Sequence, residues 1–119
     1  MPPAALPRLR RLCLALPEAV EVETWASPTF RVRGKIFALV QPDAQGLAVW
    51  CKAPPGAQEI LLAADPDRFF RPPYLGHKGW VGLRLGGRVD WPEVAAILKR
   101  SHALVAPRRL TAQTNGHKE

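Results

Sequence analysis

A chain of 119 residues, 47% hydrophobic and 23% charged, fits one globular domain and excludes a wholly disordered polypeptide. Two cysteines, Cys13 and Cys51, suggest no disulfide framework; no apolar run nears the roughly 20 residues of a membrane span, and the start lacks a secretory-signal pattern, so a reduced cytoplasmic protein is expected. The net charge of +7 points to an anionic partner such as nucleic acid.

Leu9, Leu12, Cys13 and Leu16 fall at helical spacing, with Pro7 suited to the first turn and Pro17 as the stop. Residues 1–5 read as a flexible arm before this helix. Glu18 to Ser27 reads as an acidic connector. From Thr29 the period becomes two: Phe30 and Val32 alternate with Arg31 and Arg33, Gly34 allows a tight turn, and Lys35 to Val40 returns as a central strand. Pro42 to Gly46 forms a loop and Leu47 to Lys52 a third strand. Pro54-Pro55 opens a second helix with Ala57, Ile60, Leu61 and Ala64 as its buried stripe, ended by Asp65-Pro66. Residues 68–78 are irregular, anchored by Phe69 and Phe70. Trp80 to Leu85 alternates as a strand, and Gly86-Gly87 turns the chain. Asp90-Trp91-Pro92-Glu93 reads as a capping box for a helix that runs to about Val105. Pro107 stops that helix, and residues 111–119 read as disordered. The expected fold is α+β: an antiparallel sheet with helices packed on it, in a single domain over residues 6–110.

The charge is unevenly spread along this chain. Residues 1–67 carry seven basic and seven acidic groups, whereas residues 68–109 carry nine basic groups against Asp90 and Glu93. Such a segment suits a phosphate-binding surface, and it equally suits a solvated face that keeps the protein soluble.

Leu16-Pro17-Glu18, Trp25-Ala26-Ser27-Pro28-Thr29-Phe30-Arg31-Val32 and Gly34-Lys35-Ile36-Phe37-Ala38 resemble the MmcQ/YjbR family. Tyr74-Leu75-Gly76-His77-Lys78-Gly79-Trp80-Val81 and Leu104-Val105-Ala106-Pro107-Arg108-Arg109-Leu110 extend the resemblance, in order, across about residues 6–110. The resemblance implies a small bacterial α+β domain of order α-β3-α-β2-α, likened to frataxin-type and secretion-chaperone folds. It also implies a DNA-binding role without an established enzymatic activity.

Strand alternation puts Arg31 with Arg33, Trp80 with Arg84, and Trp50 with Lys52, and basic groups interleaved with rings suit backbone attraction plus base stacking. The other reading buries Trp50 and Trp80 under a helix and leaves the charges at the rim. Gly76-His77-Lys78-Gly79 has the GxxG spacing that can bring a backbone close to phosphate, and it equally serves as a turn that needs positive φ. Arg108 and Arg109, with Lys99 and Arg100, either complement a helix C-terminus or form a basic arm. In the family comparison Pro107 and Arg109-Leu110 fall in a closing motif that can also dock on the sheet. The candidate nucleic-acid set is therefore Arg31, Arg33, Lys35, Lys78, Trp80, Arg84, Arg88, Arg108 and Arg109.

His77, His102 and His117 match no metal-ligand spacing, and Cys13 and Cys51 lie on apolar faces, so neither a metal, a cofactor nor a catalytic centre is expected. Three functions stay open: a non-enzymatic DNA-binding domain, weak and salt-dependent; a protein-interaction module in which the charge serves solubility; or a domain that holds a small anionic ligand between the sheet and residues 68–79. The oligomeric state is not encoded in any feature of the sequence.

Overall fold

The computed structural model describes residues 5–24 and 26–107. Among the described residues six antiparallel strands form one sheet: β1 (Ala19–Thr24), β2 (Ser27–Val32), β3 (Lys35–Asp43), β4 (Gly46–Cys51), β5 (Phe69–Phe70) and β6 (Val81–Arg84). Their spatial order is β1-β2-β3-β4-β6-β5. Three α-helices accompany them among the same residues: α1 (Ala5–Leu14), α2 (Ala57–Ala64) and α3 (Trp91–Val105). The α+β class and antiparallel sheet match the sequence expectation, with one strand more before α2.

That extra strand is β1, in the segment expected to be an acidic connector. Ala19 to Thr24 pairs with β2 from Ala19↔Val32 to Thr24↔Ser27. Residues facing each other across antiparallel strands share a side of the sheet. Glu21 lies opposite core residue Phe30, so Glu21 and Glu23 point to the helix side and Val20 and Val22 to the other. Arg10 of α1 donates to both Glu21 carboxylate oxygens, at 2.9 and 3.1 Å, which accounts for an acidic residue on the packed side. Helix α1 itself starts at Ala5, inside the segment expected as an arm, and buries Leu9 and Cys13 as its spacing requires.

The β2–β3 hairpin turns on Arg33 (φ 52°) and Gly34 (φ 80°), the doubly positive turn that matches strand twist. One step later Phe30 pairs with Ala38 while Arg31 pairs with Ile36, so Phe37 is an extra residue in β3. Phe37 is fully buried, and its carbonyl accepts the Ser101 hydroxyl of α3 at 2.6 Å. Ser101 Oγ in turn accepts from the Lys52 amide at 2.9 Å. His102, also fully buried, sets its ring edgewise on Phe37 at 5.2 Å and donates from Nε2 to the Pro17 carbonyl at 2.9 Å. One turn of α3 thereby fastens β3, the end of β4 and the α1–β1 turn.

The second helix begins at Ala57 and is rolled relative to the expected stripe. Gln58 is buried, Leu61 and Leu62 lie against the core, and Ile60 is 69% exposed. The reason is chemical. Gln58 Nε2 donates to the carbonyls of Gly76 (2.8 Å) and Trp80 (2.6 Å), and its Oε1 accepts from Arg71 (3.2 Å). A fully used amide takes the inward position that an apolar pattern assigns to isoleucine.

Phe69 joins the core, whereas Phe70 lies on the opposite side of the sheet over Gly82, where a Cβ would stand 2.3 Å from the ring. Asp90 caps α3 by accepting the Glu93 amide at 3.2 Å. Glu93 does not complete the capping box; its carboxylate pairs with Arg68 at 2.6 Å.

All three helices share one side. The core joins Leu9 and Cys13 of α1, and Val94 and Leu98 of α3, to Phe30, Val32, Phe37, Val40, Val49, Phe69 and Leu83 of the sheet. Among the described residues no helix covers the other face.

Candidate functional site

The register assigns, residue by residue, the face that no described helix covers. Val20 and Val22 of β1 stand beside Thr29 and Arg31 of β2; next come Ile36, Leu39 and Gln41 of β3, Ala48 and Trp50 of β4, and Gly82 and Arg84 of β6. Leu39, Trp50 and Gly82 form one transverse row, with Phe70 beyond it. This face is apolar and aromatic at its centre. Val20 is 51% and Val22 40% exposed, which is unusual for valines paired in a sheet. The indole Nε1 of Trp50 is buried with no hydrogen-bond partner among the described residues.

Of the seven candidate residues that are described, only Arg31 and Arg84 reach this face. Arg31 donates to Thr24 Oγ1 at 2.9 Å and Thr29 Oγ1 at 3.2 Å, which lays it along β1 and β2. Arg84 stacks 4.7 Å over the Phe70 ring, donates to the Asp67 carbonyl at 3.0 Å and faces Asp43 at 3.6 Å. Three strand spacings and four residues separate their rows, roughly 20 Å between Cα atoms at standard sheet dimensions.

The others stand elsewhere. Arg33 is in the hairpin turn, bound two-pronged by Glu18 with Nη2 on Oε2 at 3.0 Å. Lys35 is exposed at that same end. Lys78 is exposed in the short 3-10 turn Gly76–Lys78. Trp80 precedes β6 and is 8% exposed, so it offers no stacking platform; the alternation that placed it beside Arg84 stops one residue short. Arg88 is exposed in the loop before α3, at the opposite end of the sheet from Arg33 and Lys78. Lys52 lies beyond the end of β4 and lines a groove on the helix side rather than joining Trp50. Arg108 and Arg109 lie outside the described residues.

The GxxG spacing has a structural account. At Gly76 a Cβ would meet the Arg71 side chain at 2.5 Å, and Gly79 takes φ 86°. Both glycines serve the turn.

Ion pairs decide where the positive charge is felt. Arg10, Arg33, Arg68 and Arg84 have carboxylate partners. Arg8, Arg11, Lys99 and Arg100 are exposed on α1 and α3 and show no acidic partner among the described residues. Arg8 instead lies 5.0 Å over the Trp91 ring. Arg31, Lys35, Lys52, Arg71, Lys78 and Arg88 also show no carboxylate partner among the described residues, so the uncompensated charge is spread over both ends of the sheet and the helix layer, with a group of four on α1 and α3. Sequence reasoning missed Arg8 and Arg11, although their place opposite the Leu9 and Cys13 stripe marks them as outward-facing.

Two recesses accompany these surfaces. One of about 550 Å³ is lined by Arg8, Trp91 and the backbone-rich Gly46, Gly86 and Gly87. The other, about 210 Å³, lies between α2 and α3, with Ile60, Leu61, Ile97, Lys52 and Arg100 in its walls. Both cysteines are free and buried, and burial pushes the Cys51 thiol up to about 12 and raises Cys13 as well, so neither is a nucleophile at neutral pH. Among the described residues no three His, Cys, Asp or Glu side chains gather as a metal site, and no helix is long and apolar enough to cross a membrane.

A family model described as YjbR matches residues 14–104. The chain is also similar to a crystal structure of the Deinococcus radiodurans protein DR2400, which carries a DUF419 domain. The TM-score is 0.76 at 26% identity, over 85% of this chain and 78% of that one. No curated protein matches.

Proposed function

The chain belongs to the YjbR family, and from that footing we propose a non-enzymatic binding domain whose working surface is the open sheet face and whose ligand is an extended segment of another protein. The observation that carries this reading is the pair of exposed valines, Val20 and Val22, on an edge strand that continues into the apolar row of Leu39 and Trp50. An outer strand edge offers unpaired N–H and C=O groups to an incoming strand, and alternate side chains then find the apolar face. In this reading the domain works in the cytoplasm, where its two free thiols stay reduced.

Nucleic acid is the second reading, favoured by Arg31 and Arg84 flanking Trp50 and Phe70. Its candidate cations are few on this face, because Arg33, Lys35, Lys78 and Arg88 stand at the two ends of the sheet. Two phosphate contacts to a single strand give a log–log salt slope of about −1.4.

The two readings separate in one pair of experiments. A nuclease-treated pull-down compares the wild type with a Val20→Lys/Val22→Lys variant, and the captured protein is then reconstituted in purified form. Labelled single- and double-stranded DNA are titrated at two salt concentrations. The protein reading requires a partner that survives nuclease, binds the purified wild type and is lost with the lysine variant. It is overturned if capture disappears with nuclease while DNA binds the wild type at low salt.

A further inference from the structure

We infer that the groove between α2 and α3 docks a peptide segment of a partner protein that presents a large apolar side chain next to a carboxylate. This is a second surface, on the opposite side of the molecule from the sheet face, and it stands or falls separately.

The groove exists because of how α2 is rolled. Gln58 occupies the inward position, so Ile60 is displaced to the surface at 69% exposure. Beside it, Ala57, Leu61 and Ile97 make an apolar floor with Ala53 and Pro54 at one end. An exposed isoleucine next to an apolar recess forgoes burial that association can recover. The volume, about 210 Å³, falls below the roughly 300–1,000 Å³ of small-molecule pockets. It suits one anchoring side chain of a larger partner, as at protein interfaces where a single buried residue dominates.

Charge fixes the rest of the ligand. Lys52 and Arg100 stand in the walls, and neither has an acidic partner among the described residues. Exposed Lys99 immediately precedes Arg100 on α3, and Arg8 and Arg11 extend the same sign across the helix layer. Cations bordering an apolar recess favour an incoming group that is apolar at its centre and anionic at its edge. A peptide with a leucine-like residue flanked by glutamate or aspartate has that form.

The test uses a fluorescein-labelled decapeptide of alternating leucine-glutamate pairs, with a serine-glutamate peptide, a leucine-lysine peptide and sodium decanoate as comparisons. Binding is followed by polarisation and by backbone amide shifts of the full chain. The leucine-glutamate peptide should move amides of residues 52–61 and 97–100, and Ile60→Ser or Arg100→Glu should weaken it about tenfold or more. Both positions are exposed, so the variants keep their fold, which unchanged urea midpoints check. The Val20→Lys/Val22→Lys variant should bind this peptide as well as the wild type does. Shifts confined to the sheet face, equal binding of the serine-glutamate peptide, or decanoate saturating the same amides more tightly than the peptide would each overturn the inference.

Discussion

Replacing Gln58 by Leu removes one polar side chain whose contacts set the path of residues 71–80. Leucine has a similar volume, so the change isolates hydrogen bonding from cavity formation. Two carbonyls lose a donor. Trp80 O loses a 2.6 Å bond at a residue only 8% exposed, and Gly76 O loses a 2.8 Å bond but keeps one from the Gly79 amide at 3.0 Å. A buried acceptor left without its donor costs about 1–3 kcal/mol, and a partly compensated one costs about 0.5–1.5 kcal/mol. Arg71 is exposed, so the loss of its 3.2 Å bond to Oε1 adds little. The sum is about 2–4 kcal/mol, a large share of the stability of a domain this size. Urea unfolding should show the midpoint falling with an unchanged slope, and amide exchange should quicken most at residues 75–80. A loss below about 0.5 kcal/mol, or exchange that quickens uniformly, would refute the role given to this amide.

Gly82→Ala should destabilise by about 1–3 kcal/mol because its Cβ would stand 2.3 Å from the Phe70 ring; adding Phe70→Leu should recover part of that loss in a double-mutant cycle. Ser101→Ala should cost about 1–3 kcal/mol in urea unfolding, since the hydroxyl serves both Phe37 O at 2.6 Å and the Lys52 amide at 2.9 Å. Cys51 gives a pH dependence. Its folded-state value is raised from 9.0 to about 12, so the native state holds a proton that the unfolded thiol releases above pH 9. The stability it contributes is intact below pH 9 and declines between pH 9 and 12; a Cys51→Val variant should lose less stability over that window than the wild type.

The elements whose apolar periodicity coincides with their buried side were legible from the sequence. Leu9 and Cys13 on α1, Phe30 and Val32 on β2, and Val94 and Leu98 on α3 are buried where spacing put them. The misreadings share a physical cause: a polar group held by a distant partner. Glu21 faces the helices because Arg10 meets it, eleven residues earlier in the chain, and Gln58 turns inward because two carbonyls lie about twenty residues ahead. No local pattern encodes those partners. β1 did carry a signal, the strict alternation of Val20 and Val22 with Glu21 and Glu23, but its polarity is inverted relative to a strand with its apolar side in the core. The candidate surface failed at the strand ends for a related reason. Arg33 sits in a turn with φ 52°, and Trp80 precedes β6, so alternation no longer governs either side chain.

The fate of the charge follows from the same long-range pairings. Counted along the chain, the excess lies in residues 68–109 and the first 67 residues are neutral. Folding redistributes it, because four of the seven acids of the first part are matched to particular cations: Glu18 to Arg33, Glu21 to Arg10, Asp43 to Arg84 and Asp65 to Arg68. Two of those pairs, with Arg33 and Arg84, consume cations that strand alternation had assigned to a phosphate-binding face. What remains uncompensated on the helices is Arg8, Arg11, Lys99 and Arg100, which share the layer behind the sheet. A partner at the sheet face therefore meets an apolar surface on which Arg84 is paired with Asp43 and Arg31 is held by hydroxyls alone, whereas one at the helix layer meets a positive field screened by salt over roughly 10 Å. The two faces then call for opposite salt responses. Association through Val20 and Val22 should hold its affinity as salt rises, because buried apolar area carries it, while peptide docking beside Ile60 should weaken as Lys52 and Arg100 are screened.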